Sequence, residues 1–336
     1  MVVLVELASI VVHAVCLLCS VCPSRPTQPR SRNVQAQRPL CATLENVKGI
    51  NRCLPQVLRY LRRSKACFVT TVNVDPTDLG KPISRPRIYF LLVRRDVVLG
   101  NHTDIELEAL AKMVVQKLKT KATCSLDNAV FKQNHRLVMQ QVQTQTTLGR
   151  CKCTRCKKQQ CTEVLESTPS KTACAWRHRH WQYLKSHGLD AKAVSNQTKG
   201  LPIIPGLRTL RTRHLCAMLM AKFPAASVLN VSQSPGRGSV STGTLMTLTP
   251  RGGYYLVKQK RMLTAQEQLA MMGFPIFDLN LRGLTLSQMA TMSGNAMESL
   301  SAASAFMAPI RLLDFVKFKD AMDTKRRTKG LKRRAV

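Results

Sequence analysis

"RMLTAQEQLAMMGFP", residues 261–275, is the most tightly punctuated stretch of the chain. Thr264 stands three residues before Glu267, the spacing of a capping box, in which a hydroxyl and a carboxylate each satisfy a backbone N–H left open by the first helical turn. Gly273 is placed to end the helix in the left-handed region, and Pro275, after Phe274, prevents its resumption. The stretch therefore predicts a short helix over 264–272, preceded by Arg261 and left through Gly-Phe-Pro. "YYLV" (254–257) reads as a strand before it, and a second helical pattern follows at about 296–313.

Further towards the N-terminus the pattern is that of an α/β unit. "LCATL" (40–44) reads as a short buried strand, and "NRCLPQVLRYLRRS" (51–64) puts Leu54, Val57, Leu58 and Leu61 on one helical stripe. "CFVTTVNV" (67–74) alternates as a strand, "DPTDLGKP" turns, and "RIYFLLV" (87–93) is apolar and branched enough for a central strand. The order β-α-β-loop-β suits one half of an α/β sheet with functional groups on the loops at strand ends. From 100 to about 250 the periodicity weakens, which predicts a less regular second domain or a long insertion.

Taken with its flanks, 261–275 resembles the R-x-L-T-x-x-E-x-x-x-x-x-G-F-P block of the cytosine-C5 DNA methyltransferase family. "MSGNAMESLSAASAF" (292–306) resembles the block whose Gly-Asn opens that family's C-terminal helix. "LENVKGI" (44–50) resembles its Glu-Asn-Val block, and "DPTDLGKPISRPRIYF" (75–90) its D-x-x-x-x-G-x-P-Q-x-R-x-R-x-Y block. The four blocks stand in family order, over roughly 40–95 and 240–310.

The resemblance implies an α/β fold, an incomplete Rossmann-like class I methyltransferase sheet with a less regular basic target-recognition region. It also implies S-adenosyl-L-methionine as cofactor and DNA as partner, with RNA the alternative because the same blocks serve a tRNA substrate in the family. Cytosine is a poor electrophile until a carboxylic acid donates towards its N3, and Glu45 has that role by resemblance. Asn46 would hold the loop, Val47 would pack beneath it, and Arg85 and Arg87 would hold a nucleotide swung out of the stack. Gly294 and Asn295 match the block that closes over the cofactor. Arg261, Thr264, Glu267, Gly273, Phe274 and Pro275 would organise the recognition region.

Three departures qualify what the chain can do. Position 83 is Ile where the family has Gln, no Pro-Cys dipeptide occurs to supply the nucleophile, and no F-x-G-x-G turn occurs to hold the cofactor. A thiolate needs a lowered pKa and close placement, so Cys16, Cys19 and Cys22 are poor substitutes. The expectation is a C-terminal fragment or degenerate relative, weak or inactive in methyl transfer, with a non-catalytic nucleic-acid-binding protein as the alternative.

Charge points the same way. The chain holds 52 Lys+Arg against 18 Asp+Glu, a formal +34, and no acidic residue occurs between Asp190 and Glu267. One-signed stretches of this length attract a polyanion, because each neutralised phosphate releases condensed counterions. By these shifts the chain is divided into an apolar N-terminal segment and linker (1–39), a catalytic-core part (40–99) and a basic variable region (100–250). A return to the core (251–316) and a basic tail (317–336) complete it.

The remaining features carry less. Thirteen cysteines in irregular spacing suit a reduced protein inside the cell, nuclear if it acts on DNA. Cys151, Cys153, Cys156 and Cys161 are weak zinc candidates, with Cys174, His178 and His180 as further ligands, but free thiols are the simpler reading. Residues 1–22 are apolar enough for a membrane anchor, yet Glu6 and His13 favour a core helix or an ill-defined chain start. "SQSPGRGSVSTG" (232–243) lacks the Lys-Ser/Thr ending of a phosphate loop and suits a flexible backbone contact.

Overall fold

The computed structural model describes residues 40–63, 65–100, 102–120, 124–142, 165–170, 173–237, 239–317 and 319–320. They divide into two compact units, one of 40–80, 86–120 and 300–320, the other of 81–85 and 124–299.

The first unit is built on strands β1 (Cys41–Val47), β2 (Cys67–Val74) and β3 (Arg87–Arg94), with helix α1 (Leu54–Arg62) between the first two. The strand order is β1-β3-β2, and β3 is antiparallel to both neighbours. β1 and β2 thus run the same way on either side of β3, joined by the crossover through α1. The sequence expectation of a central strand at 87–93 is met, and the reason is visible: a central strand covered on both faces has no polar side, and Ile88 to Val93 are all buried. A wider parallel sheet is not among the described strands.

α1 opens with Pro55 in its first turn, where the missing N–H costs nothing. Its stripe of Leu54, Val57, Leu58 and Leu61 covers Ala42, Leu44, Val69, Ile88, Phe90 and Leu92. On the opposite face Phe68, Val72, Tyr89, Leu91 and Val93 are buried too. Helix α2 (Asp104–Leu118) packs against β2, starts at a Thr103–Glu106 capping box, and buries Leu107, Ala111 and Val115 at four-residue spacing.

The second unit contains helices α3 (Leu126–Ala129), α4 (Arg136–Val142), α5 (Ala175–Ser186), α6 (Ala191–Gly200) and α7 (Leu210–Lys222). A small antiparallel sheet follows, of β4 (Val228–Asn230), β5 (Val240–Ser241), β6 (Tyr254–Leu256) and β7 (Arg261–Met262), in the order β5-β4-β6-β7. Helices α8 (Ala265–Met271) and α9 (Leu286–Asn295) complete it. The region beyond residue 100 is therefore more helical than its sequence pattern suggested. α7 explains why: Leu215, Cys216, Ala217, Met218 and Leu219 are all buried in succession, so a helix sunk in the core shows no 3.6-residue alternation of apolar and polar.

Two further differences concern the C-terminal helices. The helix expected from about 296 begins at Ser299 as α10 (Ser299–Arg311). α9, which sequence reading missed, ends on Gly294 and Asn295, so this Gly-Asn pair closes one helix and does not open the next. Beyond α10, from Leu300 in the first unit, Leu313 bridges Val98 and the Leu99 N–H donates to the Leu312 carbonyl at 2.8 Å.

Candidate active site and the buried motif clamp

Strand β1 runs on through Val47, so Glu45 and Asn46 are strand residues where a loop was expected. Glu45 is paired with Tyr89 and Val47 with Arg87 across β1 and β3. Since side chains alternate along a strand, Glu45, Arg87 and Tyr89 share one face and Asn46 takes the other. The Arg87 Nε donates to Glu45 Oε1 at 2.6 Å, with the two side chains 10% and 11% exposed. Arg87 Nη1 also donates to the Pro86 carbonyl at 3.0 Å. A charge-assisted bond between largely buried groups is strong and well oriented, and it leaves the second carboxylate oxygen with capacity for another partner. Asn46 accepts from the Val47 N–H at 2.8 Å, tying down the strand end. Val47 itself, expected to pack beneath a loop, is 52% exposed.

Arg85 and Ile83 belong to the second unit. Ile83 is fully buried and forms a parallel bridge with Leu245, flanked by Ser84 N–H to Leu245 O at 2.8 Å and Leu245 N–H to Pro82 O at 2.7 Å. An amide side chain at 83 would enter the cluster of Leu245, Leu248, Tyr254 and Leu256, and the isoleucine suits it. Arg85 is buried and donates to the carbonyls of Leu248 (2.9 Å), Gly294 (3.2 Å) and Ala296 (2.8 Å). Its guanidinium thereby ties the end of α9 to the loop before β6. Of the two arginines that the sequence singles out, Arg87 is the one in the same unit as Glu45, and it pairs with it.

The stretch 261–275 forms a buried clamp. Arg261 and Glu267, 2% and 0% exposed, make a bidentate pair at 2.7 and 2.8 Å. Thr264 accepts from the Glu267 N–H at 3.1 Å while Glu267 accepts from the Thr264 N–H at 2.8 Å, which is the capping box. Both partners of the ion pair have capacity left, and they use it on one distant residue. Glu267 Oε1 accepts the Phe131 N–H at 2.7 Å, and Arg261 Nη2 donates to the Phe131 carbonyl at 2.8 Å. These extra bonds offset part of the desolvation of the buried pair, although the Arg261 Nε has no hydrogen-bond partner among the described residues. Gly273 sits at φ 81°, and a Cβ there would run into the Ser299 side chain, so it is required both by backbone conformation and by space. Phe274 is partly buried between two apolar clusters, and Pro275 is exposed at the turn that follows.

Gly294 permits a close approach: a Cβ there would meet the backbone of Thr249 and Pro250. The space its missing side chain leaves is filled by this protein's own chain, and Asn295 is exposed at the helix end. Cys151, Cys153, Cys156 and Cys161 lie outside the described residues. No group of three or more potential metal ligands occurs among the described residues. Cys174 is disulfide-bonded, so it offers no thiolate, while Cys41, Cys53, Cys67, Cys124 and Cys216 are free thiols. His180 is committed elsewhere, with its Nδ1 3.0 Å from that of His214 in the core between α5 and α7. That distance requires one ring to donate and the other to accept. Burial holds both well below the usual histidine range, His180 at about 2 and His214 at about 4. No described helix is long and apolar enough to cross a membrane, and residues 1–22 lie outside the described residues.

Sequence reading missed Phe131 as the clamp's target, and no local signal marks it. It also passed over the capping boxes at Thr103–Glu106 and Thr285–Gln288, which the T-x-x-E/Q spacing would have found.

No protein-family profile matches the chain, and no curated protein does. Among solved structures it is similar to the Dnmt2 methyltransferase of S. pombe, at 15% identity and TM-score 0.38, covering 80% of this chain and 64% of that one. It is similar to a putative DNA modification methyltransferase encoded within an E. coli prophage, at 14% identity and TM-score 0.41, covering 84% of this chain and 72% of that one. The Entamoeba histolytica methyltransferase EhMeth is matched at 14% identity and TM-score 0.35, covering 84% of this chain and 63% of that one. All three are named methyltransferases. At this degree of likeness, function has to be argued from the chain's own residues.

Proposed function

We propose that the chain is a nucleic-acid-binding relative of the cytosine-C5 methyltransferases, in which Glu45 and Arg87 receive a cytosine swung out of the stack. The observation that carries this reading is the 2.6 Å ion pair between them. Two sequence blocks 42 residues apart, each resembling a family block, deliver their functional side chains to one face of one strand pair. A carboxyl group and a guanidinium side by side offer an acceptor and fixed donors, which suits the polar edge of a pyrimidine. We read these blocks as belonging to the family's incomplete Rossmann-like sheet, and the order β1-α1-β2 with an α/β crossover is compatible with that. The excess of 34 positive charges supplies attraction to the phosphates.

S-adenosylmethionine is the methyl donor that the resemblance implies, and Gly294 and Asn295 are the residues it assigns to that cofactor. With no Pro-Cys dipeptide in this sequence, the activity we assign to this chain is base binding without methyl transfer. DNA is the substrate class of the family the blocks resemble, with RNA the alternative.

The test compares two labelled duplexes, one with a mispaired cytosine and one fully paired. Extrusion of a mispaired base costs less, so the wild-type protein binds that duplex severalfold more tightly. Arg87→Ala abolishes the preference and keeps most of the overall affinity. Equal affinity of the wild-type protein for both duplexes overturns the reading, and methyl transfer from labelled S-adenosylmethionine to either duplex overturns its binding-only part.

A further inference from the structure

Three aromatic rings from distant parts of the second unit meet at its surface. Phe131 and His135 stack at 4.3 Å between centroids with 24° between planes. Phe277 stands 6.0 Å from Phe131 and 6.2 Å from His135. Although it touches both, Phe277 is 72% exposed, more than Phe315 at 62% or Tyr60 at 50%. A lone exposed apolar side chain needs no explanation, but this one is held in place from two sides.

Phe131 has both its backbone groups gripped by the buried Arg261–Glu267 pair. Phe277 lies two residues after Pro275, in a turn whose carbonyl at Pro275 accepts from the N–H groups of Asp278 (2.9 Å) and Leu279 (3.2 Å). Thus the stretch that is best punctuated in sequence ends by presenting one ring and clamping another. A rigid, exposed ring loses little freedom when something is laid on it.

The surroundings select what that is. Lys132 and Arg136 follow the two stacked rings directly in sequence, and Arg282 lies five residues beyond Phe277, all three exposed. Asp278 is the acidic neighbour. Residues 81–85 and 122–299 together hold 25 Lys/Arg against 7 Asp/Glu. Aromatic faces interleaved with cations suit single-stranded nucleic acid, since every base has a π-face and every nucleotide a phosphate. An apolar protein partner would not call for the cations.

We propose that Phe277, with Phe131 and His135, is a stacking platform for an unpaired nucleobase. The proposal rests on the nucleic-acid reading above and adds to it a site that needs no particular base identity.

The probe is a fluorescein-labelled single-stranded oligonucleotide of about a dozen residues, beside an abasic strand of the same length. Stacking on one aromatic ring is worth roughly 1–3 kcal/mol, or about fivefold or more in affinity. Phe277→Ala therefore binds the base-bearing strand at least about fivefold more weakly and the abasic strand as well as wild type does, and Phe277→Trp restores affinity. The tryptophan in Phe277→Trp is also quenched by the base-bearing strand and not by the abasic one. If Phe277→Ala binds both strands as wild type does, the platform is wrong while nucleic-acid binding stands. If the wild-type protein binds no nucleic acid of either kind, both fall. Because Phe277 is exposed, a circular dichroism spectrum matching wild type is expected of each variant.

Discussion

Glu267 illustrates how much one residue can be asked to hold. Its two oxygens accept from Arg261, from the Thr264 N–H and from the Phe131 N–H, all inside the second unit. Glu267→Ala would leave a buried guanidinium without its counter-charge and two buried N–H groups without acceptors. Breaking one partner of such a pair costs about 3–5 kcal/mol, far more than a helix cap alone at about 1 kcal/mol. A urea midpoint for this variant within error of wild type would contradict the clamp. Arg85 is the contrasting residue, since sequence suggests a nucleotide ligand and the structure shows its guanidinium engaged by three carbonyls. A sequence pattern records that an arginine is needed; it does not record which atoms it meets.

At the scale of elements, the packing of α5 on α7 through His180 and His214 gives the second unit an acid sensitivity. Unfolded, each histidine takes up a proton near pH 6.5. Folded, burial delays this to about 4 for His214 and about 2 for His180. Above pH 7 both states hold the same protons, and the pair's contribution to stability is complete. As pH falls below 6.5 the unfolded state alone gains protons, so stability drops down to about pH 4, where His214 itself becomes charged. The loss is on the order of 3 kcal/mol for each histidine over that range. Urea midpoints measured from pH 7.5 to 4.5 should decline, and decline less in His214→Gln. α8 was legible in the sequence because its limits are set locally, by Thr264, Glu267 and Gly273. α7 was not, because its buried surface goes all the way round.

For the whole molecule the dominant quantity is charge. With 52 basic and 18 acidic residues, binding to nucleic acid should weaken steeply with salt. Neutralising only two phosphates already implies about a tenfold loss between 50 and 200 mM salt, and more contacts imply more. Anisotropy titrations across that range check it, and an affinity independent of salt would remove the electrostatic argument for a polyanionic partner. The mispaired-cytosine preference and the platform should survive at higher salt, because stacking and hydrogen bonding release few counterions.

The sequence by itself determined the strands at 67–74 and 87–93, the helix after Arg261 with both its ends, and the chain's own strongly positive charge. Those features follow from local causes: alternation, capping, left-handed glycine and net charge. The tertiary structure decided that Glu45 meets Arg87, that Arg85 donates to the carbonyls of Leu248, Gly294 and Ala296, that Ile83 is a core residue, and that Arg261 and Glu267 hold Phe131 from 130 and 136 residues away. Such pairings depend on which segments fold against each other, and neither spacing nor composition along the chain encodes that directly.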